Sequence, residues 1–184
     1  MTYYGSSHLA EAFRTVRRNT IQAAQDIPAD KYDQPIADGM MTVAAVLAHL
    51  AASTNFHQMA HGVDAKGHLS FEDFGGYMAQ AKQIEASLTT KDAILDALTT
   101  RGEQFAAFLE SLTEEQLAQH VTFPPPLQPP SKSRFEMLLG AKEHEMHHRA
   151  QLMVAQRSMG ITPHLTRRRQ EAMAARAAAA QPAS

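Results

Sequence analysis

Four stretches of this chain repeat apolar residues at alternating steps of three and four, the spacing that lines one face of an α-helix. The first is Leu9, Phe13, Val16, Thr20, Ala23 and Ile27, ended by Pro28. The second follows Thr42, a plausible N-cap, and reads Val46, His49, Ser53, Phe56 and Ala60 until Gly62 stops it. A third holds Ile94, Leu98, Phe105, Phe108 or Leu109, and Leu112, behind a threonine cap with Asp92 in its first turn. The fourth opens with Ser133 and Glu136, spaced as a capping box, and closes at Gly160 with Pro163 beyond.

The segments between these runs complete the outline. "SFEDFGGYMAQAKQIEASL" reads as a short or broken helix interrupted by Gly75 and Gly76, while "FPPPLQPPSKS" is a long crossover loop, because each proline removes an amide donor. No run alternates with period two for long enough to predict a sheet, and no internal repeat is visible. The expected fold is all-α: one four-helix bundle with long crossover loops over residues 1–165, and an Arg/Ala-rich tail over 166–184.

Composition narrows the chemistry. With no cysteine among 184 residues, a transition metal must be held by nitrogen and oxygen. The amino terminus lacks the pattern of an export signal and nowhere do eighteen apolar residues run together, so a cytoplasmic protein without membrane contact is expected. A net charge of -2 gives no general attraction for nucleic acid or anionic lipid. The one basic cluster, Arg167 to Arg169 in "TRRRQ", reads as part of a solvated tail rather than a phosphate-binding patch.

Histidine carries the functional signal. In "GAKEHEMHHRAQL", His144 and His148 are four residues apart, offset by about 40° and separated by roughly 6 Å along a helix axis, so they share a side. Met137, Ala141, Leu152 and Ala155 lie on that side, which turns the pair inward. Buried imidazoles cost free energy unless each finds a partner, and one divalent cation satisfies both. His49, on the inward stripe of the second run among the small residues Ala45, Ala52 and Ser53, is the best candidate for a third ligand. Three neutral imidazoles leave a coordination position open, the arrangement of a Lewis-acidic site rather than a structural one.

The other histidines are weaker candidates. His147 lies about 80° off the centre of the pair and reads as a supporting or surface residue. His57 and His61 form a rival pair turned away from His49, with at most an accessory metal role. His8, His68, His120 and His164 fall in tails or loops with no visible partner. Glu145, His147 and Gln151 are candidates to assist proton movement, and Gln151 also to orient a ligand.

"HEMHHRAQL" after "MLLGAKE", with "VLAHLAAS" upstream, resembles the DinB/YfiT-like family, and the likeness runs from the first helix through "QRSMGITPHL". That resemblance implies a four-helix bundle holding one divalent ion, zinc or nickel, with one histidine from the second helix and an HxxxH pair from the last long helix. Here these are His49, His144 and His148. It also implies transfer of a low-molecular-weight thiol to a small electrophile, or its hydrolysis, and a possible homodimer. Two other readings stay open: a non-catalytic metal- or ligand-binding stress protein, and a peptidase, since His144, Glu145 and His148 also spell HExxH. Against the peptidase, "QLMVAQ" lacks the downstream glycine and histidine of the extended zinc-protease motif.

Overall fold

The computed structural model describes residues 4–180, so residues 181–184 of the expected tail, and the first three residues of the chain, lie outside the described residues. Helices α1 (Ser6–Asp26), α2 (Val43–Gln58), α4 (Lys91–Ser111) and α6 (Arg134–Ser158) coincide with the four amphipathic runs. Each packs chiefly on two of the others: α1 on α4 and α6, α2 on the same two. This arrangement is a four-helix bundle in which α1 lies diagonally across from α2, and α4 from α6.

Local chemistry sets the helix starts. Thr42 Oγ1 accepts from the Ala45 amide, Thr90 Oγ1 from the Ala93 amide, and Ser133 with Glu136 closes a reciprocal capping box at α6. Two apolar clusters fill the bundle, one around Leu47, Leu50, Ile94 and Leu98, the other around Phe13, Phe105, Leu109 and Leu138. A charged layer also sits in the core. The Arg17 guanidinium forks onto both oxygens of Glu145 in α6, at 2.8–3.0 Å, and donates to the carbonyls of Leu98 in α4 and Leu50 in α2. One side chain of α1 thereby bonds to all three other bundle helices. Gly102 makes the room, because a Cβ there would stand 2.9 Å from Arg17 Cγ.

The structure departs from the sequence expectation in four places. α3 (Phe71–Ser87) is one continuous helix through Gly75 and Gly76 rather than a broken one. A Ser70–Asp73 capping box starts it, and burial of Tyr77 and Ala81 against α2 outweighs the roughly 1 kcal/mol that each exposed glycine costs. Gly62 does not end the second run, which continues as a π-helical turn, Met59–Val63. The proline-rich loop is pinched by two short antiparallel strands, β1 (His120–Thr122) and β2 (Ser131–Ser133), whose three residues each are too few for period two to register. Beyond a short α5 (Glu114–Ala118) and α6, the Arg/Ala-rich segment is helical, α7 (His164–Ala179). Its alanines favour helix, and it is moored at its start by Arg167 Nη2 on Asp26 (2.8 Å) and His164 Nε2 on Asn19 (3.2 Å). No helix among the described residues is long and apolar enough to cross a membrane.

Candidate metal centre

The bundle brings His49 of α2 onto the His144–His148 pair of α6. Nε2 of His49 stands 3.1 Å from Nε2 of His144, and one nitrogen from each of the three rings lies within 4.8 Å of the others. The ring centroids are 4.7–5.2 Å apart, and all three residues are half-buried. Two nitrogens on a tetrahedral ion with bonds of about 2.0–2.1 Å stand roughly 3.3 Å apart, so the spacing suits one cation. Among the described residues no other three histidine or carboxylate donors converge in this way.

The hydrogen bonds around the rings decide which nitrogens are free. His49 Nδ1 is 2.8 Å from Glu85 Oε1 on α3, and a carboxylate only accepts, so the proton of a neutral His49 sits on Nδ1 and Nε2 is bare. His148 Nδ1 donates to Gln151 Oε1 at 2.9 Å, which leaves its Nε2 bare as well. Gln151 in turn donates from Nε2 to His147 Nε2 at 3.1 Å. With its proton on Nδ1, a neutral His144 adds a third bare nitrogen, and one divalent cation would satisfy all three, so the donor set fits such an ion. Burial first, and then the neighbouring imidazoles, holds His144 down to about 4, and burial lowers His148, so both rings are uncharged at neutral pH.

The remaining sequence candidates fall elsewhere. Glu145 is directed into the core with both oxygens on Arg17, and is 1% exposed. That corrects its reading as a proton carrier and leaves the HExxH motif without its general base. Gln151 is hydrogen-bonded to the candidate ligand His148 on one side and to His147 on the other. His57 and His61 stack on each other at 5.9 Å, and His61 Nδ1 accepts from Arg134 Nη1 at 3.1 Å. His8, His68, His120 and His164 all have partners, respectively the Gly5 amide, Thr122, Ser131 and Asn19. Two residues went unread in the sequence. Arg17 looked like an ordinary helix cation, and Glu85 lies 36 positions from His49 on the segment expected to be broken.

The model of the DinB superfamily matches residues 12–152, which takes in most of α1 and all three histidines. This chain belongs to the DinB superfamily. YjoA of Bacillus subtilis (strain 168), an uncharacterised protein by its name, is 27% identical over 157 residues, covering 85% of this chain and 92% of YjoA. The crystal structure of the DinB-like YjoA superposes with a TM-score of 0.61 at 25% identity, covering 84% of this chain and 92% of that one. Bacillus subtilis YfiT, described as "a probable metal-dependent hydrolase with an unusual four-helix bundle topology", superposes at 0.66 with 20% identity, covering 88% and 91%. YfiT thus shares the DinB bundle seen here.

Proposed function

We propose that this DinB-superfamily bundle is a metal-dependent enzyme that holds one zinc or nickel ion on His49, His144 and His148. Its reaction joins a low-molecular-weight thiol, or water, to a small electrophile. The observation that carries the reading is the set of tethers, Glu85 on His49 and Gln151 on His148, which leave the Nε2 atoms of both rings bare, that of His49 3.1 Å from His144 Nε2. The description of YfiT as "a probable metal-dependent hydrolase" supports it on the same fold.

When bound, the cation supplies the charge that acidifies a thiol or water. The chain supplies the rest. Glu85 holds the proton on His49 Nδ1, and Gln151 fixes the His148 ring. The charged alternatives, Glu145 and Arg17, neutralise each other away from the site. In the reaction the nucleophile's sulfur or oxygen lone pair would form the new bond to the electrophilic carbon as the bond from that carbon to its leaving group breaks, the electron pair going to the departing group, which takes up the nucleophile's proton directly or through solvent. Imidazole donors accept zinc and nickel alike, so availability selects between them.

The test is elemental analysis of untagged protein beside its His49→Ala variant, followed by thiol-consumption and hydrolysis assays with small electrophiles. About one metal per chain, lost in the variant together with turnover, is the expected result. Metal uptake without turnover in either assay refutes the enzyme and leaves a metal-binding protein. Equal metal content in both proteins refutes the site itself.

A further inference from the structure

A cavity of about 330 Å³ opens one to two helical turns from the histidine cluster, between the C-terminal part of α2, α3, the proline-rich loop and α6. Its wall is aromatic and apolar, with Phe56, Phe74, Phe123, Leu127 and Met137. The volume is at the lower end of the range for small-molecule sites, enough for one ring with a short chain. Its floor follows the two helices that carry the candidate ligands. Gly140 lines the cavity one turn before His144, a rise of about 6 Å, and Phe56 lies two turns beyond His49, about 10 Å. Phe56 and Phe74 stack at 5.6 Å with planes 16° apart, and Tyr77 meets Phe56 edge-on, so the wall is braced by the α2–α3 contact.

Polar groups at this cavity are few. His57 lines it uncharged at neutral pH, because burial pushes the ring down to about 4, and its Nδ1 is buried without a partner. Two charges stand at the edge, Lys132 and Glu136. Glu136 Oε2 is committed to the amide and hydroxyl of Ser133 at 2.9 and 3.0 Å. Lys132 has no carboxylate within ion-pair distance among the described residues, and its charge acts on Glu136 at the same edge. A ring desolvated in the wall and an anion at Lys132 satisfy both features.

We infer that this cavity is the substrate-body site of the proposed enzyme, and that its ligand is a small aromatic carboxylate with the ring against Phe56, Phe74 and Phe123 and the carboxylate at Lys132. The inference rests on the metal-site reading for its catalytic meaning but not for its contacts, which belong to the protein alone. Alanine-lined space on the other side of His49, beside Met41, Ala45 and Glu85, offers no comparable aromatic wall.

Gly140 provides a test that leaves the fold intact. A Cβ added there meets no atom within 4 Å, so Gly140→Leu fills the cavity while favouring the helix. The probe is 3-phenylpropionate, compared with 3-phenylpropan-1-ol and propionate, titrated by calorimetry into metal-free and cobalt-loaded protein. The expected result is saturable binding of the acid, weakened at least tenfold by Gly140→Leu with melting temperature and cobalt content preserved. Lys132→Met should weaken the acid several-fold and leave the alcohol unchanged. In cobalt-loaded protein the bound ring protons should broaden in NMR spectra relative to zinc-loaded protein. Equal affinity in wild type and Gly140→Leu overturns the site, and equal loss of acid and alcohol in Lys132→Met overturns the anion contact. Failure of cobalt to bind, with calorimetric binding of the acid intact and sensitive to Gly140→Leu, sinks the metal-site reading and retains the pocket.

Discussion

A single imidazole is an ambiguous residue, and Glu85 and Gln151 remove the ambiguity at two of the three positions. A carboxylate behind a metal-binding histidine fixes the tautomer and raises its basicity, and losing such a partner typically weakens metal affinity 10- to 100-fold. Glu85→Gln should therefore reduce affinity within that range in a competition titration with a chelating dye, whereas His49→Ala should abolish tight binding. Affinity unchanged in Glu85→Gln would show that the 2.8 Å contact does not hold the ring for coordination. Glu145 presents the opposite case, next to His144 in sequence yet committed with Arg17 to the core. Removing one partner strands a buried charge, so Arg17→Met should cost about 3–5 kcal/mol in urea unfolding. Arg17→Met combined with Glu145→Leu should recover most of that loss, and a double variant as unstable as the single one would contradict this account.

At the scale of elements, α3 has the least expected structure and an important consequence. Its glycines are exposed and a Cβ at either meets nothing within 4 Å, so their presence weakens the helix without serving packing. Gly75→Ala and Gly76→Ala should each stabilise the protein by about 0.5–1 kcal/mol, read from chemical denaturation. A destabilised variant would mean that the helix is bent or opened at this point. Because α3 carries Glu85 as well as Phe74 and Tyr77, its continuity connects the tether on His49 to the aromatic wall of the cavity. α2 shows the complementary lesson. Covered by α3 on one side and by α4 and α6 on others, it buries residues around most of its circumference, from Val43 to Thr54, and has no broad polar face.

For the molecule as a whole, the buried histidines set the response to acid. His57 and His61 titrate near 4 and 3 in the folded chain, mainly because burial disfavours the charged ring, against 6.5 when unfolded. The unfolded state takes up more protons below pH 6.5, so their contribution is fully present above that pH and is lost as pH falls toward 4. Metal-free protein should show a flat melting temperature from pH 8 to 7 and a progressive decline between 6.5 and 4.5, worth on the order of a few kcal/mol. A melting temperature constant down to pH 4.5 would show that these rings are charged or solvated in the native state. The window lies above the range in which most carboxylates titrate, which separates the histidine effect from ordinary acid unfolding.

The sequence by itself determined the four bundle helices, the N-caps of three of them and the shared face of His144 and His148, because periodicity and capping act over a few residues and need no distant partner. It also marked His49 as the inward candidate to join them. Tertiary structure alone decided that Glu145 belongs to Arg17, that Glu85 stands behind His49, and that an aromatic cavity opens between α2, α3, the proline-rich loop and α6. Those contacts join residues 36 to 128 positions apart, and their partners are chosen by how helices pack, which no local pattern encodes.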